Sequence, residues 1–316
     1  MPILVSGSLV YDHIMDFPDR FKNHILPDNI HILNVCFTVE KLGKSKGGTV
    51  GNIAYSLKLL GADPIVVSSV GQDGDEYIEH LKRLGIETNK IVKDGKLFTA
   101  SCYITTDLDD NQITAFYNGA LGLAPDIFFK KRDKKPKWAI VSPTQKKIMI
   151  RHLSQCAILG IKTIFDPGQQ IPAFSDKELK KSISQADVLV GNDYEIKMIQ
   201  KRTGWSENDM LNKIKMLITT FGANGSLIKT NQKEEIRVEA SKPKKIVDPT
   251  GAGDAYRAGL LIGLDKGYNL KMCARLGSVA ASFAIEKYGT QEHRFTKKEF
   301  SERYKKAYKE EIDLAD

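Results

Sequence analysis

The sequence of 316 residues lacks several features that mark particular classes of protein. Its four cysteines are scattered and form no C-x-x-C pair, so we expect reduced, mostly buried thiols rather than a disulfide or zinc framework. No apolar run reaches 18 residues and no signal-peptide pattern appears, which predicts no membrane helix and a cytoplasmic location. Internal repeats and low-complexity tracts are also missing. A chain of this length therefore builds one large α/β domain or two smaller ones.

The chain carries an excess of positive charge. The 47 Lys and Arg residues against 39 Asp and Glu residues give a formal net charge of +8, which suits nucleic acid or anionic small molecules. The densest basic cluster lies at 130–137, but it has no interleaved aromatic residue that could stack on a base. We interpret this cluster as a solvated loop and predict small-molecule partners, not nucleic acid or membrane.

Short apolar strands alternate with helical stretches through most of the chain. The predicted strands are 3–6, 64–69, 138–141, 163–165, 188–190, 215–220, 226–229 and 236–240, and the helices include 49–60, 74–84, 252–266, 269–287 and 296–310. This alternation predicts a mostly parallel sheet with helices on both faces. A hairpin at 97–106 and 111–117, and an irregular region 13–46 with a strand-like 32–39, break the rhythm. These segments predict a small accessory sheet.

The most informative segment runs from Asp248 to Gly259, where a glycine turn leads into an apolar helix. Gly251 and Gly253 have no Cβ, so their N–H groups can approach an anion closely at the positive end of the helix. Asp254 stands at the same turn, where a carboxylate repels phosphate unless it has a chemical task, such as accepting a proton from an attacking hydroxyl. The alternative is that Asp254 caps the helix and the glycines form an ordinary turn.

Two further positions near the N-terminus have both a binding and a structural interpretation. Gly47-Gly48 opens a helix in which Asn52 lies one turn along, so a substrate hydroxyl could contact Asn52, or Asn52 could simply cap or pack. Asp12 lies just beyond the first strand, where ligands bind in open parallel sheets. It could accept hydrogen bonds from a vicinal diol or belong to a turn.

The C-terminal half offers similar alternatives. Asn192 and Glu195 share one face of a first helical turn, which suits hydrated Mg²⁺ near phosphates and a capping interaction equally. The segment 220–225 could hold a nucleotide against the backbone or form a hairpin loop. In Gly71-Gln72-Asp73-Gly74 we favour helix capping by Asp73. Gly43-Lys44-Ser45 is rejected as a phosphate-binding loop because the required upstream glycine is replaced by Thr38.

In combination these motifs resemble the PfkB carbohydrate kinase family, also called ribokinase-like. The segments that carry the resemblance are Gly47-Gly48 with Asn52, Gly71-x-Asp73, Asn192-x-x-Glu195, Thr220-x-Gly222-x-x-Gly225 and Asp248–Gly259. Their order and spacing match over essentially the whole chain. Residues 111–121 and 286–293, together with Arg257, are similar to the adenosine kinase type of nucleoside kinase. Asn118 and Leu121 depart from that branch, where proline and methionine are expected. These departures put in doubt which nucleobase the acceptor carries.

The resemblance implies one ribokinase-like domain over 1–316, with a mostly parallel, Rossmann-like α/β core and a small β-sheet lid from about 13–46 and 96–118. It implies an ATP-dependent kinase acting on the primary (5′) hydroxyl of a nucleoside, with adenosine preferred. A sugar kinase of the ribokinase or fructokinase type is the alternative, and a non-catalytic nucleotide- or nucleic-acid-binding protein is a remote one. Because such a lid can serve as a cover or as a dimer interface, both monomer and homodimer remain open.

The resemblance also assigns roles to single residues. Asp254 becomes the general base, beside an anion hole formed by the N–H groups of Gly251, Ala252 and Gly253. The acceptor is held by Asp12, Gly48 and Asn52. An apolar slot for its base is expected from lid residues, namely Phe98, Phe116, Tyr117 and Leu121.

The remaining implied roles concern ATP and its cations. ATP lies near four residues of the C-terminal half, namely Asn192, Thr220, Gly222 and Gly225. Glu195 acts on Mg²⁺ through water. Asp248 and the backbone near Gly289 are candidates for a monovalent cation such as K⁺.

Overall fold

The computed structural model describes residues 2–109, 111–130 and 133–312. In these ranges the strands are Pro2–Ser6 (β1), Val10–Asp16 (β2), Lys41–Gly47 (β3), Asp63–Val70 (β4), Glu87–Lys93 (β5), Ala100–Thr106 (β6), Gln112–Tyr117 (β7), Trp138–Val141 (β8), Lys162–Phe165 (β9), Val188–Asn192 (β10), Met216–Thr220 (β11), Ser226–Thr230 (β12) and Glu235–Val238 (β13). The α-helices are Thr49–Leu59 (α1), Asp75–Arg83 (α2), Lys146–Ile158 (α3), Asp176–Ser184 (α4), Asp193–Thr203 (α5), Glu207–Leu211 (α6), Ala252–Lys266 (α7), Leu270–Ala284 (α8) and Lys297–Tyr308 (α9).

The large sheet has the strand order β13-β12-β11-β10-β9-β8-β1-β4-β5. It is parallel from β5 to β11, and the pairs β11–β12 and β12–β13 at one edge are antiparallel. Successive residues of its strands point to opposite faces. Phe165 and Leu189 pack with helices α3–α6, whereas their neighbours Ile164 and Val188 pack with α1, α7, α8 and α9. Helices therefore cover both faces, as the apolar strands predict.

A separate four-stranded sheet has the order β3-β2-β6-β7. Its strands β2 and β6 are parallel, and the outer pairs are antiparallel. The two segments expected to leave the α/β core supply nearly all of this sheet, which we call the small sheet. The connection between β6 and β7 includes residue 110, which lies outside the described residues.

Two expectations about the region before α1 were wrong. Asp12 does not lie in a loop: it is part of β2, between β3 and β6. Residues 32–39 do not form a strand, because Pro27–Ile32 forms 3₁₀ turns and 33–39 has no regular structure. Both edges of β2 are already occupied, and Ile30 and Ile32 remain 60% and 67% exposed. An apolar run with no neighbouring strand to pair with does not become a strand.

The structure shows the environment of the cysteines and the lengths of the apolar helices. All four cysteines are free, but only Cys156 and Cys273 are buried, while Cys102 is half-buried and Cys36 is exposed. In the described part of the chain, no helix combines the length and apolar character needed to span a bilayer. Of the basic cluster 130–137, residues 131 and 132 lie outside the described ranges.

Candidate active site

The candidate site lies where helix α7 begins, facing the N-terminal part of helix α1. Gly251 is the N-cap residue of α7 in a left-handed conformation with φ of 79°, which glycine adopts without steric cost. Asp254 follows in the first turn, yet no side chain caps this helix. Its Oδ2 instead accepts a hydrogen bond of 2.8 Å from Nδ2 of Asn52. The capping interpretation of Asp254 is therefore not realised.

The charged groups around Asp254 have opposing effects on its carboxyl group. Burial raises the pKa of Asp254 to about 6, while Arg257 and the Asn52 hydrogen bond lower that pKa, and Asp166 and Glu195 raise it. The carboxyl is therefore mostly ionised at neutral pH, although burial and not the helix end dominates its pKa. One turn along the helix, Arg257 donates from Nη2 to Oδ1 of Asp166 at 2.8 Å. This ion pair joins α7 to the end of β9.

The expected anion hole is only partly open in this conformation. The N–H of Ala252 donates to the carbonyl oxygen of Pro249 at 3.2 Å, within the turn. A Cβ on Gly253 would lie 2.8 Å from Nη1 of Arg257, so a larger residue there would require the guanidinium to shift. The first N–H groups of a helix have no partner within the helix, and such groups are suited to hold an anion.

Asp248 accepts hydrogen bonds from two backbone N–H groups, one of them in the segment that follows helix α8. Its Oδ1 accepts from the N–H of Thr250 at 2.9 Å, and its Oδ2 accepts from the N–H of Gly289 at 3.0 Å. The structure thus brings Asp248 and Gly289 together, as the cation hypothesis requires, but hydrogen bonds already explain the contact. Within the described ranges, no three His, Cys, Asp or Glu side chains cluster as a metal site.

One face of the small sheet presents Asp12 among apolar side chains. Strand register places Asp12, Cys102 and Phe116 side by side on that face. Tyr117, the next residue along β7, points to the other face, so the expected aromatic slot does not include both rings. Burial raises the pKa of Asp12 to about 6. A Cβ on Gly47 would overlap Oδ2 of Asp12, so this glycine provides the space for the carboxylate.

The other expected slot residues have different environments. Leu121 is buried against Val10 and Ala100, so leucine fills an apolar space where methionine is expected. Phe98 is 54% exposed. Asn118 has φ of −68°, a value that a proline ring also adopts.

Near the ends of β10 and β11, the structural interpretations are realised. Asn192 and Glu195 form a reciprocal capping box, with both hydrogen bonds 2.8 Å long. Asn192 and Thr220 are paired in register at the ends of neighbouring strands. A Cβ on Gly225 would overlap the carbonyl oxygen of Val238, whereas nothing lies within 4 Å of one on Gly222. Close packing against Val238 thus explains the glycine at 225, whereas the space beside Gly222 is open.

Asp73 does not cap helix α2, contrary to expectation. The N-cap residue of α2 is Gly74, with no side-chain cap. Oδ1 of Asp73 instead accepts from the N–H of Thr99 at 2.7 Å. Its carboxylate therefore ties the β4–α2 turn to the segment that enters β6, because a backbone N–H there lacks a strand partner. Gly48, the other expected contact, is the N-cap residue of α1 with φ of 85°.

Sequence reasoning missed the residues that support Asn52. Nε2 of Gln291 donates to Oδ1 of Asn52 at 3.0 Å and to the hydroxyl of Tyr77 at 2.8 Å. The Tyr77 hydroxyl donates to the carbonyl oxygen of Gly47 at 2.6 Å. Oε1 of Gln291 lies 3.1 Å from Nε2 of His80. Gln291 fell within the segment 286–293, but no spacing rule could connect it with a residue 239 positions away.

The comparisons with known proteins identify the chain as a phosphotransferase that acts on hydroxyl groups. The pfkB family of carbohydrate kinases matches residues 8–297, and the chain belongs to this family. It is 33% identical over 271 residues to a nucleoside kinase of Methanocaldococcus jannaschii, covering 82% of this chain and 85% of that protein. The expected family and the ribokinase-like fold are confirmed.

Solved structures of Burkholderia thailandensis nucleoside kinase are similar over nearly the whole chain. The complex with inosine has a TM-score of 0.86 and 35% identity, and covers 98% of this chain and 99% of that chain. The complex with ADP-inosine has a TM-score of 0.85 and 36% identity, and covers 98% of this chain and 97% of that chain.

Proposed function

We propose that this protein is an ATP-dependent nucleoside kinase that phosphorylates a primary (5′) hydroxyl group, with adenosine as the first candidate acceptor. The observation that carries the proposal is the carboxylate of Asp254, which is held by Asn52 instead of capping its own helix. An acid placed at a helix N-terminus without a capping task fits the role of a base beside a phosphate site. Nucleoside kinases among the similar proteins support the acceptor class.

The proposed chemistry uses positioning and charge more than covalent steps. The acceptor hydroxyl oxygen bonds to the γ-phosphorus of ATP, the bond to the bridging oxygen breaks, and ADP leaves. Asp254 takes the hydroxyl proton. The N–H groups of Gly251 and Gly253 stabilise charge on the transferred phosphoryl group, and that of Ala252 joins them once its turn contact with Pro249 opens.

The proposal places ATP and its metal at the ends of β10 and β11. Asn192 and Thr220 lie side by side there, and the open space at Gly222 leaves room for a ligand against the backbone. Mg²⁺, when bound, neutralises phosphate charge. Glu195 fits a role through water, because Mg²⁺ keeps several waters and needs few carboxylates. K⁺ near Asp248 stays a prediction, as do one kinase domain over 1–316, the cytoplasmic location and the oligomeric state.

The proposed binding site for the acceptor combines the carboxylate of Asp12 with apolar side chains on the same face of the small sheet. Its carboxylate can accept two hydrogen bonds from a ribose diol, while Cys102 and Phe116 on the same face offer apolar contact to a flat base. Asp12→Asn should raise KM for the acceptor and leave KM for ATP nearly unchanged. Equal changes in both constants would remove the diol contact.

The direct test is a panel of nucleosides and sugars assayed for ADP release, with the product identified by mass spectrometry. We expect turnover with nucleosides, adenosine foremost, and product phosphorylated at the 5′ position. Turnover with ribose or fructose alone would replace the proposal by a sugar kinase. Salt-dependent binding to DNA or RNA without turnover of any acceptor would replace it by a binding protein.

The role of Asp254 is tested separately with Asp254→Asn. This variant should lose roughly 10²–10⁴-fold in kcat, the range of a general base, while calorimetric binding of ATP remains. Asp265→Asn on the same helix is the matched control, because it changes an equally small acid far from the glycine turn. Near wild-type turnover of the Asp254 variant would contradict the role.

A further inference from the structure

Four side chains beneath the candidate site form one directional chain of hydrogen bonds. Asn52, Tyr77 and Gln291 are 5%, 0% and 3% exposed, and His80 is half-buried. They come from α1, α2 and the segment after α8. The chain ends on the carboxylate of Asp254, so its direction decides which group of Asn52 that carboxylate meets.

The direction follows from one group that can only accept. The carbonyl oxygen of Gly47 accepts the single hydroxyl hydrogen of Tyr77. The Tyr77 oxygen must therefore accept in its other contact, which requires the NH₂ group of Gln291 on that side. The same NH₂ group donates its second hydrogen to Oδ1 of Asn52.

The direction of these hydrogen bonds decides which group of the Asn52 amide faces Asp254. Because Oδ1 of Asn52 is occupied by a donor, its Nδ2 group must face Asp254, as the 2.8 Å contact shows. A flipped Asn52 would set its carbonyl oxygen against the carboxylate. Oε1 of Gln291 can only accept, so Nε2 of His80 carries the hydrogen. Protonated His80 keeps that hydrogen, and its titration does not reverse the chain.

We propose that Gln291 is a positioning residue that fixes the amide of Asn52 with its N–H group toward Asp254. The kinetic consequence of this inference rests on the proposed function, whereas the direction of the hydrogen bonds rests on the geometry alone. Asp254 titrates beside Arg257 on its own helix, Asp166 after β9 and Glu195 on α5. A substitution at Gln291 leaves those three groups in place.

The test is Gln291→Glu, which replaces the NH₂ group that donates to Asn52 by a carboxylate oxygen that only accepts, at nearly constant side-chain size. A carboxylate at 291 attracts the Nδ2 group of Asn52, so the carbonyl oxygen turns toward Asp254 and the charged form of Asp254 loses its donor. We expect the acidic midpoint of kcat/KM for the acceptor to rise by at least about one pH unit. At pH 6 this is a loss of about fivefold, recovered above pH 8.

Two further variants keep the test decisive. Tyr77→Phe removes the hydroxyl that orients Gln291 and should shift the midpoint in the same direction by a smaller amount, which serves if Gln291→Glu does not fold. Gln232→Glu introduces the same change at an exposed position in the β12–β13 turn and should leave the profile unchanged. An unshifted midpoint in folded Gln291→Glu, or an effect on KM for ATP alone, overturns the inference.

A readout without turnover separates this inference from the proposed function. The Asp254 carboxyl titration is followed by carbon NMR on aspartate-labelled protein, with the signal assigned through Asp254→Asn. We expect a higher midpoint in Gln291→Glu than in wild type. If wild type turns over no acceptor but the midpoint moves, the proposed function fails and the positioning role stands. If the wild type turns over and the midpoint stays, only the positioning role fails.

Discussion

Removing Arg257 should destabilise the protein far more than removing an exposed arginine. Its guanidinium and the carboxylate of Asp166 are 9% and 2% exposed at their side chains, and they share two contacts between α7 and the end of β9. Truncating one partner of such a pair leaves the other charge buried without a counter-ion. That loss costs about 3–5 kcal/mol of unfolding free energy.

The magnitude can be measured with Arg257→Met, which keeps much of the apolar stem. At this chain length a loss of 3–5 kcal/mol corresponds to a fall in Tm of roughly 5–8 °C. Arg237→Met is the matched control, because Arg237 and its partner Glu235 are 76% and 49% exposed. An exposed pair contributes below about 1 kcal/mol, so the control should stay within about 2 °C of wild type.

The double variant Arg257→Met with Asp166→Leu completes the design. Replacing both charges by apolar groups removes the uncompensated carboxylate, so most of the lost stability should return. The assay is thermal unfolding by circular dichroism, supported by urea titration. A fall in Tm below about 3 °C for Arg257→Met, or no recovery in the double variant, would refute the reasoning from desolvation.

Three other predictions concern the acids and glycine of the site. Because Asp254 must be ionised to accept a proton and its pKa is about 6, kcat/KM should fall about tenfold per pH unit well below pH 6 and be flat near pH 8; a flat profile down to pH 5 would oppose this. Burial raises the pKa of Asp12 to about 6, so ionisation of Asp12 destabilises the folded state progressively from about pH 4 to pH 6, and this cost is constant at higher pH. Asp12→Asn should raise Tm at pH 8, with the gain vanishing near pH 4, and a pH-independent Tm difference would contradict this. Gly47→Ala should displace Asp12 and raise acceptor KM at least tenfold, with ATP binding by calorimetry as the comparison.

Sequence patterns predicted those elements whose signals are local. The β-branched apolar run of β4 and the apolar stretch of α7 required only neighbours in sequence. Strand β2 was missed because Val-Tyr-Asp-His-Ile-Met-Asp carries polar residues on both faces, and its pairing with β3 and β6 is set by distant segments. The resemblance supplied Asp254, Asn52 and the family. It could not supply the chain through Tyr77 and Gln291, because those contacts depend on where three separate segments meet.

Strand β3 runs into helix α1 through the single residue Gly48, and this has a mechanical consequence. The end of that strand is held twice, by Tyr77 at the carbonyl of Gly47 and by Thr290 at the carbonyl of Lys46. Four residues later the helix carries Asn52, which touches Asp254. The small sheet and Asp254 are thus connected through Gly48, the first turn of α1 and one side-chain hydrogen bond. We therefore expect that a movement of the small sheet about Gly48 changes the contact between Asn52 and Asp254, and that protonation of Asp254 in turn changes the free energy of that movement.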